Sequence, residues 1–148
     1  MTDPQKRILV VDDDDAIRAL LFTILRRRGL AVDTARDGEE AMERFSRCCY
    51  SIVLLDLMMP RMNGWEVLQR ISEQPREAWP MVIVLTAGNE PRQMNPDIVT
   101  GTVRKPFDVE LLIDMIGACL AAVEARHQGA DCPPADSEAR EGSPRNVN

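Results

Sequence analysis

Residues 8–15, ILVVDDDD, set four aliphatic side chains directly against four aspartates. A short unbroken aliphatic run reads as a strand buried on both faces. Parallel sheets covered by helices bury their strands in this way. The construction returns in residues 51–56, SIVLLD, where the strand Ser51–Leu55 runs straight into Asp56. It returns again in Met81–Leu85, followed by Thr86, and in Gly101–Arg104, followed by Lys105 and Pro106.

Working outward, the segments between these runs carry helical periodicity. Ala16–Arg28 places Ile17, Leu20, Leu21, Ile24 and Leu25 on one face, and Gly29 stops the helix. Leu30–Ala35 is a second strand. Asp37 is the N-cap of the next helix, with Glu40 three residues on as in a capping box. Gly64–Ile71 is helical. Asp108 caps a last helix whose apolar face carries Leu111, Leu112, Met115, Ile116, Cys119, Leu120 and Val123. Strand and helix alternating at this spacing predict an α/β fold: a doubly wound, five-stranded parallel sheet with helices on both faces.

The chain has 148 residues, 45% of them hydrophobic and 28% charged, with a formal net charge of −6. This is the composition of a folded soluble domain. Its acidity argues against direct nucleic-acid binding, which needs a basic surface. No apolar run approaches the roughly 20 residues of a membrane span, and no secretory signal opens the chain, so no membrane insertion and a cytoplasmic location are expected. Residues 1–124 read as one domain. Residues 125–148, ARHQGADCPPADSEAREGSPRNVN, lack the apolar surface to offset ordering entropy and read as a disordered tail. The single His127 falls in that tail. No C-x-x-C pair accompanies it, which argues against a zinc site or a Cys–His catalytic pair. Cys48 and Cys49 read as reduced residues of the core or a helix end.

A doubly wound sheet binds its ligand beyond the carboxyl ends of its strands. There the sequence places Asp12–Asp15, Asp56, Thr86 and Lys105. Each alone has a plain structural explanation: a helix cap, a strand-forming Thr, a solvated Lys. As a set they suit one chemistry. Two carboxylates about 4 Å apart repel by roughly 4 kcal/mol at an effective dielectric of 20. Asp12, Asp13 and Asp56 outnumber Lys105, and a hard divalent cation with oxygen ligands, Mg²⁺, resolves the imbalance. A carboxylate beside Mg²⁺, a Lys and a Thr hydroxyl form a phosphoryl-acceptor site, with Asp56 attacking in line. The acid run is unsuited to a metal-free flavin phosphate. The turn also lacks the glycines of a dinucleotide fingerprint.

These residues resemble the receiver domain of bacterial two-component response regulators, over roughly residues 6–124. The resemblance is carried by ILVVDDDDAIR, by VLLDLMMPRMNGWEVL around Asp56, by VLTA at Thr86 and by KPF at Lys105. It implies a flavodoxin-like receiver fold and a phosphoacceptor, not an enzyme with an external substrate. The protein would catalyse only its own phosphorylation and dephosphorylation. Asp56 resembles the phosphorylated aspartate. Asp13 would bind Mg²⁺ directly, Asp12 chiefly through metal-bound water, and the backbone carbonyl of Met58 would complete the protein's share. Thr86 and the Ala87 N–H would contact the phosphoryl group. Lys105 would form the ion pair, with a cis bond before Pro106. The implied partners are a sensor histidine kinase or phosphotransfer protein as donor, and a downstream protein target. The chain length implies a stand-alone receiver.

Two departures stand out. The aromatic residue usual three positions before the lysine is Thr102 here. The interval from Thr86 to Lys105 is also short and contains Pro91 and Pro96, so the fourth helix of the family is expected to be short, distorted or absent. These departures favour an altered output. They also keep open a receiver-like binding module that works without phosphorylation. A Mg²⁺-dependent phosphatase using Asp56 is disfavoured, because the acid such enzymes carry two residues later is Met58. Met58 and Gly88 offer no polar side chain to place a hydrolytic water, so neither is expected to hasten loss of the phosphoryl group.

Overall fold

The computed structural model describes residues 7–88 and 95–126. In chain order the elements are β1 (Ile8–Val11), α1 (Asp15–Arg27), β2 (Val32–Ala35), α2 (Gly38–Arg47), β3 (Ile52–Asp56), α3 (Gly64–Ser72), a 3-10 turn (Arg76–Ala78), β4 (Met81–Thr86), β5 (Val99–Arg104) and α4 (Val109–Arg126). The five strands are parallel in the order β2-β1-β3-β4-β5. The strand order reverses at β1, so the crevice between the carboxyl ends of β1 and β3 is the expected ligand position.

Period-two alternation along each strand divides the core between two faces. Leu9, Val11, Val53, Leu55, Val82 and Val84 pack under α2 and α3, against Ala41, Val67, Leu68 and Ile71. Ile8, Val10, Ile52, Leu54, Ile83 and Leu85 pack under α1 and α4, against Leu21, Leu25, Leu112 and Ile116. Nearly all of these side chains are fully buried. Each Val, Leu or Ile among them contributes roughly 1.5–3 kcal/mol through lost apolar surface. This two-sided burial explains why the strands read as unbroken aliphatic runs.

The helix ends follow the sequence closely. Asp14 caps α1, accepting from the N–H groups of Ala16 and Ile17. Gly29, at φ +83°, ends that helix. Asp37 caps α2 by accepting from Glu40 N–H. The return bond of the expected capping box goes one residue further back, from Arg36 N–H to Glu40 Oε1. A complete capping box opens α3 instead, between Asn63 and Glu66.

Several boundaries differ from the periodicity. The second strand begins at Val32, because Leu30 N–H still bonds back to Leu25 O at the end of α1. The third and fourth strands each extend one residue further, since Asp56 pairs with Leu85 and Thr86 with Arg104. Asp56 and Thr86 are thus the last residues of strands rather than the first of loops. The fifth strand begins at Val99, with an irregularity in register opposite Val82 and Ile83. Among the described residues no helix lies between β4 and β5. Before β5 the chain makes a turn in which Ile98 and Val99 N–H both bond to Asn95 O. Thr102 is exposed on β5 and pairs with Val84.

The cysteines correct one expectation. Cys48 and Cys119 are outside any disulfide, but Cys49 is disulfide-bonded rather than reduced. The expectation rested on an inferred compartment, which residue spacing does not report. The tail expected at residues 125–148, with His127, falls outside the described residues from residue 127 onward.

Candidate functional site

The carboxyl ends of β1, β3, β4 and β5 bring the predicted residues into one crevice. Asp12, Asp13 and Asp56 each offer a carboxylate oxygen, and these oxygens lie within 4.8 Å of one another. Asp12 is fully buried and Asp56 is 6% exposed, whereas Asp13 is open to solvent. The hydrophobic strands account for this burial: each ends one residue before or at its acid, so the acid shares the buried rim of the sheet.

Lys105 Nζ lies 2.9 Å from Asp12 Oδ2 and 3.4 Å from Asp56 Oδ2. The Lys105 N–H also donates to Thr86 O at 2.7 Å, which ties the chain after β5 to the end of β4. The Lys105–Pro106 peptide is cis. Met58 N–H donates to Asp56 Oδ1 at 3.1 Å, folding the loop after β3 back over the carboxylate. Thr86 Oγ1 accepts from Gly88 N–H at 2.9 Å.

The electrostatics is unbalanced. Burial, and next the Asp12 charge, push the Asp56 carboxyl up to about 7, against the opposing pull of Met58 N–H and Lys105. Burial works against the charge on Lys105, but the facing carboxylates of Asp12 and Asp56 outweigh it and hold its ammonium above the ordinary range. One lysine therefore serves two buried acids. Asp12 Oδ2 is buried, and the ammonium that faces it at 2.9 Å is shared with Asp56. Two buried carboxylates that share one ammonium leave negative charge uncompensated, and a cation in the crevice would offset it. The all-oxygen set of Asp12, Asp13 and Asp56 is the kind a hard divalent ion takes.

Three contributors were not legible in the sequence. Arg18 Nη1 donates to Asp12 O at 2.8 Å while Nη2 pairs with Asp15 at 2.5 Å, so α1 braces the backbone of the first acid. Only the Asp15–Arg18 spacing hinted at this. Arg104 lays its guanidinium in the space a Cβ on Gly88 would occupy, so the position without a side chain is filled from the neighbouring strand. No local pattern signals that contact. Arg61, in the loop after Asp56, pairs with Asp37 at the start of α2.

Comparison with known proteins agrees with this geometry. The family described as "Response regulator receiver domain" matches residues 8–117. The transcriptional regulatory protein ResD of Bacillus subtilis is 38% identical over 119 residues, which are 78% of this chain and 48% of that protein. The chain spans about half the length of the curated relatives it matches. The CheY-like receiver domain protein of Methanospirillum hungatei superposes with a TM-score of 0.74 at 31% identity, covering 82% of this chain and 98% of that one. The response regulator protein TrrA of Thermotoga maritima, solved in complex with Mg²⁺-BeF, superposes with a TM-score of 0.67 at 36% identity, covering 77% and 98%. No described helix is long and apolar enough to cross a membrane. With the strand order, the crevice and the matched residues in agreement, the chain belongs to the response regulator receiver domain family of two-component systems.

Proposed function

We propose that the chain is a phosphoacceptor switch: it takes a phosphoryl group onto Asp56 from a phosphohistidine of a sensor kinase or phosphotransfer protein. The observation that carries this reading is the crevice itself, with three clustered carboxylates and one lysine shared between Asp12 and Asp56. Asp12, Asp13, Asp56 and the Met58 carbonyl would hold Mg²⁺, which when bound neutralises charge on the transferring phosphoryl oxygens. In the transfer, an Asp56 oxygen forms the new P–O bond as the donor's P–N bond breaks, and the imidazole nitrogen leaves with the electron pair and takes up a proton. Lys105 places its ammonium against the growing negative charge. The Thr86 hydroxyl and the Ala87 N–H stand at the end of β4 to donate to the phosphoryl oxygens.

Residues 1–124 act as the receiver and residues 125–148 as an appended tail, with the cytoplasm as the working compartment. The phosphorylated form acts on a downstream protein, and the exposed Thr102 on β5 gives that readout a surface without the usual aromatic residue.

Incubation of the chain with acetyl phosphate and Mg²⁺, followed by intact-mass spectrometry, tests the reading. One phosphoryl adduct is expected with Mg²⁺ and none after chelation. Mg²⁺ binding without any adduct, from acetyl phosphate or from a phosphohistidine donor, would favour the phosphorylation-independent module.

Mg²⁺ binding should also depend on pH. The Asp56 carboxyl, pushed up to about 7, must lose its proton to bind a cation. The apparent affinity is therefore expected to fall roughly tenfold between about pH 8 and about pH 6. Titration calorimetry at the two values measures this, and equal affinities would show that no proton is displaced from Asp56 by the cation in this window.

A further inference from the structure

The loop between β3 and α3 is held at two places. At its base, Gly64 N–H donates to Leu57 O at 3.0 Å. The backbones meet so closely there that a Cβ on Gly64 would stand 2.5 Å from Asp56 O. At its tip, Arg61 adopts φ +60°. This left-handed conformation costs a non-glycine residue roughly 1–2 kcal/mol, so the surroundings must impose it. They do so from α2. The Arg61 guanidinium pairs with Asp37, whose side chain is only 2% exposed, and lies 3.4 Å from Glu39. Gly38 N–H donates to Met62 O at 2.8 Å, and a Cβ on Gly38 would meet Met62 Cγ at 2.6 Å. The clamped residues follow Met58 by three and four positions. Met58 itself bonds to Asp56 through its N–H.

We propose that the Asp37–Arg61 ion pair and the Gly38–Met62 hydrogen bond form a clasp through which α2 sets the position of the Met58 carbonyl for the divalent cation. Asp37 and Arg61 are thus positioning residues of the cation site. The inference rests on the reading of that site as a Mg²⁺ site. It also makes α2, which offers the site no ligand, a place from which cation affinity is set.

The test is Mg²⁺ titration of the full chain by calorimetry, comparing the native protein with Asp37→Asn, Arg61→Ala, Arg61→Gly and the Asp37→Asn/Arg61→Ala double variant. Asn is as good an N-cap as Asp, so Asp37→Asn removes the charge and keeps the helix start. Arg61→Gly removes the ion pair while relieving the backbone cost at φ +60°. The clasp predicts that each single variant weakens Mg²⁺ binding about three- to tenfold, and that the double variant is no weaker than the worse single, because both changes break one contact. A bare charge effect predicts a different pattern. Losing the Asp37 charge would weaken cation binding, and losing the Arg61 charge would tighten it. Opposite shifts, or affinities within twofold of native with lowered thermal midpoints, would overturn the clasp and leave a purely structural pair. Asp56→Asn in the same titration separates the two levels of the argument. If the native chain binds Mg²⁺ and Asp56→Asn does not, the site stands whatever the clasp variants do. If the native chain binds none, site and clasp fall together.

Discussion

Asp56→Asn is expected to fold, to melt higher than the native chain at about pH 8 without Mg²⁺, and to accept no phosphoryl group. The stability gain follows from linkage. The Asp56 carboxyl is raised from its ordinary 3.8 to about 7 in the folded protein. Between those two values the folded state binds more protons than the unfolded state, so native stability falls as pH rises through that window. Above it, the protein carries a buried charge that Asn does not. The full shift is worth roughly 4 kcal/mol, and solvent screening at the open mouth of the crevice reduces this to about 2 kcal/mol. That corresponds to a rise of roughly 5–10 °C in the melting midpoint at about pH 8, shrinking towards zero near pH 4. Thermal melts of both proteins across pH check the sign. An advantage for Asn that grew as pH fell would contradict the burial of Asp56 beside Asp12. Added Mg²⁺ should reverse the order, because it stabilises the native acid cluster and has less to hold in the variant.

Lys105→Met should have the opposite effect on stability and a large one on phosphoryl transfer. The ammonium faces Asp12 at 2.9 Å and Asp56 at 3.4 Å, and no other cation is seen at these oxygens among the described residues. Removing one partner of a buried ion pair leaves an uncompensated charge, at a cost of about 3 kcal/mol. The loss should be greatest above about pH 7, where Asp56 is ionised, and Mg²⁺ should recover most of it, since the cation takes over the neutralising role. Phosphorylation by acetyl phosphate should slow more than tenfold even with Mg²⁺ saturating, because on the proposed reading no ammonium would then face the charge growing on the phosphoryl group. Melts with and without Mg²⁺ and a mass-spectrometric time course separate the two effects. A variant as stable and as quickly phosphorylated as the native chain would remove Lys105 from the site.

What the sequence disclosed and what it withheld divide along physical lines. Strands buried on both faces leave long aliphatic runs, so β1, β3 and β4 were legible from residues 8–11, 52–55 and 81–85, and with them the parallel sheet. The groups that end those runs, Asp12, Asp56 and Thr86, were legible for the same reason: a polar residue after such a run stands at the sheet's rim. The fifth strand was less distinct. It lies at the sheet edge with Thr100, Thr102 and Arg104 exposed, and its first residues carry no buried pattern. The contacts that brace the site were hidden because they join residues far apart in the chain. Asp37 announced itself as a helix cap, and nothing near it pointed to Arg61, 24 residues away. Gly88 looked like an empty position until β5 placed Arg104 against it. Cys49 shows a further limit, since pairing of thiols is a property of geometry and redox state rather than of local sequence.

The most direct measurement is chemical mapping of the acceptor. An acyl phosphate on aspartate is reduced by borohydride to homoserine, which marks the residue permanently. After acetyl phosphate and Mg²⁺, followed by borohydride and peptide sequencing by mass spectrometry, homoserine is expected at position 56 alone, and nowhere when Mg²⁺ is chelated. Homoserine at position 12 or 13, or a Mg²⁺-dependent phosphate that survives borohydride on a hydroxyl residue, would contradict the assignment of Asp56 as the phosphoryl acceptor.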